Sequence, residues 1–232
     1  SARLVSEWSR VRLPQEAPKW PHGRSRATMA GMTPEPSKWS RIIAADPEHS
    51  HRYIQRFKMM EANGHDLYGE ARTVDAMVGR NARILDAGCG PGRLCGYLHE
   101  RGHTVVGVDV DPVLIAAAEE DHPGPTFLVG DLAELDLPAR GVEADFDVIV
   151  SAGNVMGFLA PSTRVEVLRR IAAHLAPSGR AIIGFGAGRG YEFAEFFADV
   201  EAAGLTLQLA LSTWDLRPFA ADSDFLVAVC GR

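Results

Sequence analysis

The chain has 232 residues, 46% of them hydrophobic and 23% charged, enough apolar content to fill the core of a mid-sized α/β domain. No stretch approaches the roughly 18 apolar residues that span a bilayer, and the first residues carry no apolar leader core, so a soluble, cytoplasmic protein with no membrane partner is expected. The net charge of −6 is uneven: residues 1–41 hold eight Lys/Arg against three Asp/Glu, and the acidic remainder argues against a large nucleic-acid footprint.

Residues 1–40, rich in Arg, Pro and Ser, show no sustained period and are expected to form a flexible basic extension to a domain over 41–232. Met29 and Met32 are the first methionines, so residues 1–31 are open to being an over-extended start. Asp46-Pro47-Glu48 has the look of a helix start, leading into a helix that ends at Gly64, and a second helix is expected over 66–78.

From there strands and helices alternate, the mark of a doubly wound, mostly parallel sheet. The strands are expected at 82–88, 104–110, 126–131, 146–153 and 179–188, with helices at 92–102, 112–121 and 164–177, the last stopped by Pro177. A helix over 191–203 follows, and then two strands, 205–212 and 224–231, with no helix-sized segment between them; these are predicted to pair antiparallel. The three cysteines, Cys89, Cys95 and Cys230, form no C-x-x-C pair, which points away from a zinc site or disulfide framework, and no metal site is expected.

The strongest signal is Ile84-Leu85-Asp86-Ala87-Gly88-Cys89-Gly90-Pro91-Gly92-Arg93-Leu94: a strand, an acid, three alternating glycines and a helix start. Such a loop lets backbone approach a ligand closely. It departs from the dinucleotide fingerprint G-x-G-x-x-G, because Arg93 stands where the third glycine would fall. LDAGCGPG resembles the first motif of the class I S-adenosylmethionine-dependent methyltransferases, and the elements from Asp66 to Gly231 arrive in that family's order. The resemblance implies a Rossmann-like seven-stranded sheet with an antiparallel final strand, N-terminal lid helices, and S-adenosylmethionine as cofactor with S-adenosylhomocysteine as product.

It also implies roles. Asp109, ending the second strand about 20 residues beyond the loop, would hold the ribose hydroxyls, with Val110 beside it, whereas Asp111 reads as the cap of the helix at Pro112. Asp131 and Leu132 would flank the adenine. Asp86, Ala87, Gly88, Gly90 and Gly92 would shape the methionine end, and Ser151 would lie near it. Arg72 is a candidate for the cofactor carboxylate.

His51, Tyr68 and Asn154 are weak catalytic candidates, since the sulfonium already activates the methyl group and a base is optional. Asn154, Met156, Trp214 and Arg217 are substrate candidates, Arg217 suiting an anion. After strand four there is no Asn/Asp-Pro-Pro-aromatic or Pro-Cys sequence, which argues against adenine or glutamine amino groups and cytosine C5 as targets. A small-molecule acceptor is expected. RNA or protein methylation, a noncatalytic cofactor-binding module and a nicotinamide oxidoreductase stand as the alternatives.

Overall fold

A computed structural model describes residues 34–232. Among them run α1 (Lys38–Ala45), α2 (His49–Ala62), α3 (Gly69–Met77), β1 (Arg83–Ala87), α4 (Arg93–Glu100), β2 (Thr104–Asp109), α5 (Pro112–Asp121), β3 (Thr126–Val129), β4 (Phe146–Ser151), α6 (Val155–Phe158), α7 (Arg164–His174), β5 (Leu175–Gly186), α8 (Phe193–Ala202), β6 (Thr206–Leu211) and β7 (Phe225–Gly231). The strands form one sheet in the order β3-β2-β1-β4-β5-β7-β6. β7 runs antiparallel to both β5 and β6, and the other neighbouring pairs are parallel.

Both faces of the sheet are covered, which is why its central strands read as continuous apolar runs. Successive residues of β1 and β4 point into different core layers. Ile84 and Val148 pack on one side with Val105, Ile182 and Val227; Leu85 and Ile149 pack on the other with Val106, Ile183 and Ala228. β1 lies between β2 and β4, so the chain winds outward in both directions from it. The connections leaving β1 and β4 therefore diverge and open a crevice at their carboxyl ends, where ligands bind in sheets of this kind.

The structure departs from the sequence expectation in three places. Residues 37–40, expected to belong to the extension, are tied into the fold: Ser37 caps α1 by accepting from Ser40 N at 3.0 Å, and Lys38 Nζ donates to the carbonyls of Gly157 (3.1 Å) and Arg189 (2.9 Å). Residues 1–33 lie outside the described residues. Asp46 is the C-cap of α1 and not the start of α2, which begins at His49 without a side-chain cap. Finally, α7 ends at His174, three residues before Pro177, and β5 starts at Leu175. Proline biases the residue before it toward extended backbone, so the break propagates upstream. Regular pairing with β4 resumes at Val148↔Arg180 after a register shift, and a Cβ at Gly179 would sit 2.5 Å from the carbonyl oxygen of Phe146.

Asp111 ties the amino-terminal helices to the sheet. Its Oδ1 accepts from Val113 N (2.9 Å) and Leu114 N (3.4 Å), capping α5, with Pro112 in the first turn. Its Oδ2 accepts from Trp39 Nε1 (2.9 Å) and Ser50 Oγ (2.5 Å), one from each of α1 and α2. The side chain is fully buried, so removing it strands the buried Ser50 hydroxyl and the half-buried Trp39 indole N–H as well as the cap. Asp111→Ala is expected to cost about 3 kcal/mol in urea unfolding, combining a lost cap with unpaired buried groups; a loss below about 1 kcal/mol would show that α1 and α2 dock by apolar contact alone.

Candidate active site

The turn from β1 into α4 is folded back onto the end of β2. Gly88 N and Cys89 N both donate to Val108 O, at 2.8 and 3.1 Å, and Gly90 N donates to Asp109 Oδ2 at 2.9 Å. Gly88 and Gly92 have φ of 90° and 79°, a region that side chains rarely adopt. Space forbids a side chain as well: a Cβ at Gly88 would land inside the Val155 side chain, and one at Gly92 would come 2.8 Å from Ala118 Cβ and 2.9 Å from the Phe127 ring. The alternating glycines thus set a tight turn against α6, α5 and β3, and leave the loop's outer edge facing a cavity.

That cavity lies over the carboxyl ends of β1, β2 and β4 and holds about 960 Å³ of empty space, counting the open solvent at its mouth. Its floor carries Asp86, Gly88, Gly90, Asp109 and Val110, and its far side Asp131 and Leu132. α1 and α2 form its roof.

The acids differ in their surroundings. Asp86 is 2% exposed, and burial raises its carboxyl to about 7, against the lowering pull of the Cys95 thiol, which donates to Oδ2 at 3.5 Å, and of Arg93. Asp109 is also pushed up by burial and pulled down by its bonds from the Asp111 and Gly90 amides. Asp131 accepts from Ala133 N at 2.8 Å, capping a short 3₁₀ turn, and still lines the cavity. Arg93, which displaces the dinucleotide glycine, meets Glu70 with both terminal nitrogens (2.7 and 3.0 Å), donates to Leu67 O and lies 5.7 Å from the Phe57 ring centre. It lines the cavity as half of a neutral pair.

Other residues singled out from the sequence lie elsewhere. Ser151 is buried beneath the floor, its Oγ donating to Ala87 O at 2.9 Å, so Ser151 and Ala87 stitch β4 to β1 behind the cavity wall. Gly92 caps α4 and faces away from the cavity, toward α5 and β3. Arg72 is exposed and paired with Asp66, and Tyr68 stacks on Tyr97 and donates to Glu61 at 2.7 Å; neither lines the cavity. His51 is exposed on α2.

Asn154, at φ 67°, caps α6 and accepts from Gly186 N at 2.7 Å, so its amide holds β5. Met156 is fully buried in the core. Trp214 packs across Gly184, covering the sheet, and Arg217 is exposed beside Asp215 at 3.4 Å. None of these four substrate candidates lines the cavity: residues beyond strand ends also cap and cover, and only the packed sheet separates the two uses.

The sequence reading missed the aromatic side chains of the cavity. Trp39, Tyr53, Phe57 and Phe158 form its wall, with Trp39 edge-on to Tyr53 (5.1 Å) and Phe158 (5.5 Å), and Tyr53 4.9 Å from Phe57. Tyr53 and Phe57 are four apart on α2, a spacing that puts both on one helix face and was available as a signal. His49, near them in sequence, meets Trp39 edge-on at 5.1 Å.

Fold and site together define the Rossmann-like class of α/β domains, with the ligand cavity at the point where the strand order reverses. A methyltransferase-domain family model matches residues 84–179. The crystal structure of a TehB-like SAM-dependent methyltransferase from Corynebacterium glutamicum is 51% identical, with a TM-score of 0.77, covering 81% of this chain and 100% of that one. A magnesium-protoporphyrin O-methyltransferase from Rhodobacter capsulatus is 31% identical over 131 residues, 53% of each chain. The 1,6-didemethyltoxoflavin-N1-methyltransferase of Burkholderia thailandensis is 25% identical with a TM-score of 0.54, over 78% of this chain and 89% of that one. The chain belongs to the S-adenosylmethionine-dependent methyltransferases of class I. It spans about half the length of the curated relatives it matches.

Asp86 gives a pH-dependent test. The native state holds its proton up to about 7, whereas the ordinary value is 3.8, so its ionisation works against folding as pH rises between them. Asp86→Asn, which mimics the protonated form, is expected to raise the melting temperature of the ligand-free protein by a few degrees at pH 8 and by distinctly less at pH 5, nearer the lower end of that window. An equal shift at both pH values would contradict a buried, titrating Asp86.

Proposed function

We propose that this chain transfers a methyl group from S-adenosylmethionine to a small-molecule acceptor bound in the cavity under α1 and α2. The observation that carries the reading is the meeting of the glycine turn, Asp86 and Asp109 in one cavity at the carboxyl ends of β1 and β2. The donor set fits this cofactor. A carboxylate at Asp109 accepts from two hydroxyls of a ribose, Val110, Leu114 and Leu132 offer an apolar slot for a purine, and Asp131 lies beside that slot. Asp86 and the Gly88–Gly90 backbone would face the amino-acid end.

When bound, the cofactor supplies a methyl group on a positively charged sulfur that departs as a neutral thioether. What remains for the protein is positioning and exclusion of water. The turn from β1 would hold the cofactor from below, and the roof of α1 and α2 would restrict the approach of the acceptor. Ala152, Gly153 and Val155, after β4, border the space where the acceptor would meet the methyl group. The aromatic wall leaves room for a small molecule and supports that class over an RNA or a folded protein, as does the acidic balance of the chain beyond residue 41.

Isothermal titration with S-adenosylmethionine, S-adenosylhomocysteine and NAD tests the reading. Binding of the two sulfur compounds in the micromolar range, none of NAD, and a loss of about 30-fold or more in Asp109→Ala are expected, since a bidentate carboxylate–diol contact is worth roughly 2 kcal/mol. Tight binding of NAD, or unchanged affinity in Asp109→Ala, would refute it.

A further inference from the structure

Resting on the proposed methyl transfer, we propose that the acceptor is an uncharged, flat ring compound held against the wall of Trp39, Tyr53, Phe57 and Phe158. All four side chains are half-buried, and each turns part of its ring surface toward the cavity. Edge-on contacts of Trp39 with Tyr53 and Phe158, and a tilted contact of Tyr53 with Phe57, fix the rings. α1 and α2 are in turn fixed through Asp111 and through Lys38. The surface is thus preorganised and aromatic, suited to stacking and edge contacts with a planar ligand.

Charge decides the rest. Among the described residues that line the cavity, the only Lys or Arg is Arg93, and both its terminal nitrogens are engaged by Glu70 and Leu67 O. Lys38, on the roof helix, donates to two carbonyls. A carboxylate or phosphate on the acceptor would lie beside Asp86, Asp109 and Asp131 with no free Lys or Arg among the described lining residues to meet it, the cofactor's sulfonium being the single unpaired positive charge there.

A protonated amine fails for another reason. Transfer requires a lone pair that forms the new bond to the methyl carbon while the electrons of the breaking C–S bond stay on sulfur, and an ammonium has none. An uncharged hydroxyl or ring nitrogen meets both conditions, and a proton displaced from it passes to water at the open mouth. The Tyr53 hydroxyl has no hydrogen-bond partner among the described residues. Burial raises its pKa, keeping it a neutral donor available to such a group.

The test uses one ring in three charge states: 2-naphthol, 2-naphthoate and 2-naphthylmethylammonium, each titrated into the full chain saturated with S-adenosylhomocysteine at pH 7. The neutral probe is expected to bind about tenfold or more tightly than either ion. Phe158→Leu should weaken 2-naphthol about fivefold, the scale of a lost aromatic pair. Product binding, measured on the same sample, reports that this variant is folded.

Equal or tighter binding of either ion overturns the proposal. So does an unaltered 2-naphthol affinity in folded Phe158→Leu, or product binding without any 2-naphthol binding. Failure of S-adenosylhomocysteine itself to bind is a separate result: it removes the methyl-transfer reading, and the acceptor proposal falls with it.

Discussion

The turn between β1 and α4 is the constraint on which the site depends. It reverses direction within a few residues while lying against the end of β2, and it does so by giving the Gly88 and Cys89 amides to Val108 O and the Gly90 amide to the Asp109 carboxylate. One set of bonds therefore fixes the loop and orients Asp109 at the cavity floor. The same compactness explains the glycines, because Val155 of α6 and Phe127 of β3 occupy the space that side chains at Gly88 and Gly92 would need. Burial of Asp86 beneath the loop follows from this packing, and its proton affinity rises as a result.

The roof depends on a second carboxylate two residues from the first. Asp109, the last residue of β2, faces the cavity, whereas Asp111, beyond the strand end at the cap of α5, is buried. Asp111 serves α5 with one oxygen and α1 and α2 with the other. The helices that cover the cavity are thereby held by the same short segment that would hold the ribose. This places Trp39 and Tyr53 over the floor and gives the cavity its aromatic character.

Much of the fold was legible because periodicity and turn chemistry agreed. α5 runs from Pro112 to Asp121 as its proline and capping aspartate imply, and the antiparallel pairing of β6 and β7 followed from the absence of a crossover helix. The glycine motif located the floor of the cavity. The roof was not legible, for a physical reason: α1 is eight residues long, too short to stand out by period, and its docking depends on Trp39 meeting an aspartate 72 positions away. The partners of polar residues near strand ends were not legible for a related reason. Arg72, Asn154 and Arg217 have the right chemistry for ligands, but Asp66, Gly186 N and Asp215 are nearer partners, and sequence alone does not rank long-range against local partners.

The central claim is that the β1–α4 turn and Asp109 hold the nucleoside of S-adenosylmethionine. The most direct measurement is a crystal structure of the chain with S-adenosylhomocysteine. The account predicts both ribose hydroxyls within hydrogen-bond distance of the Asp109 carboxylate, the purine between Val110 and Leu132, and the amino-acid end over Gly88 and Asp86. A ribose away from Asp109, or a product bound outside the cavity under α1 and α2, would contradict it.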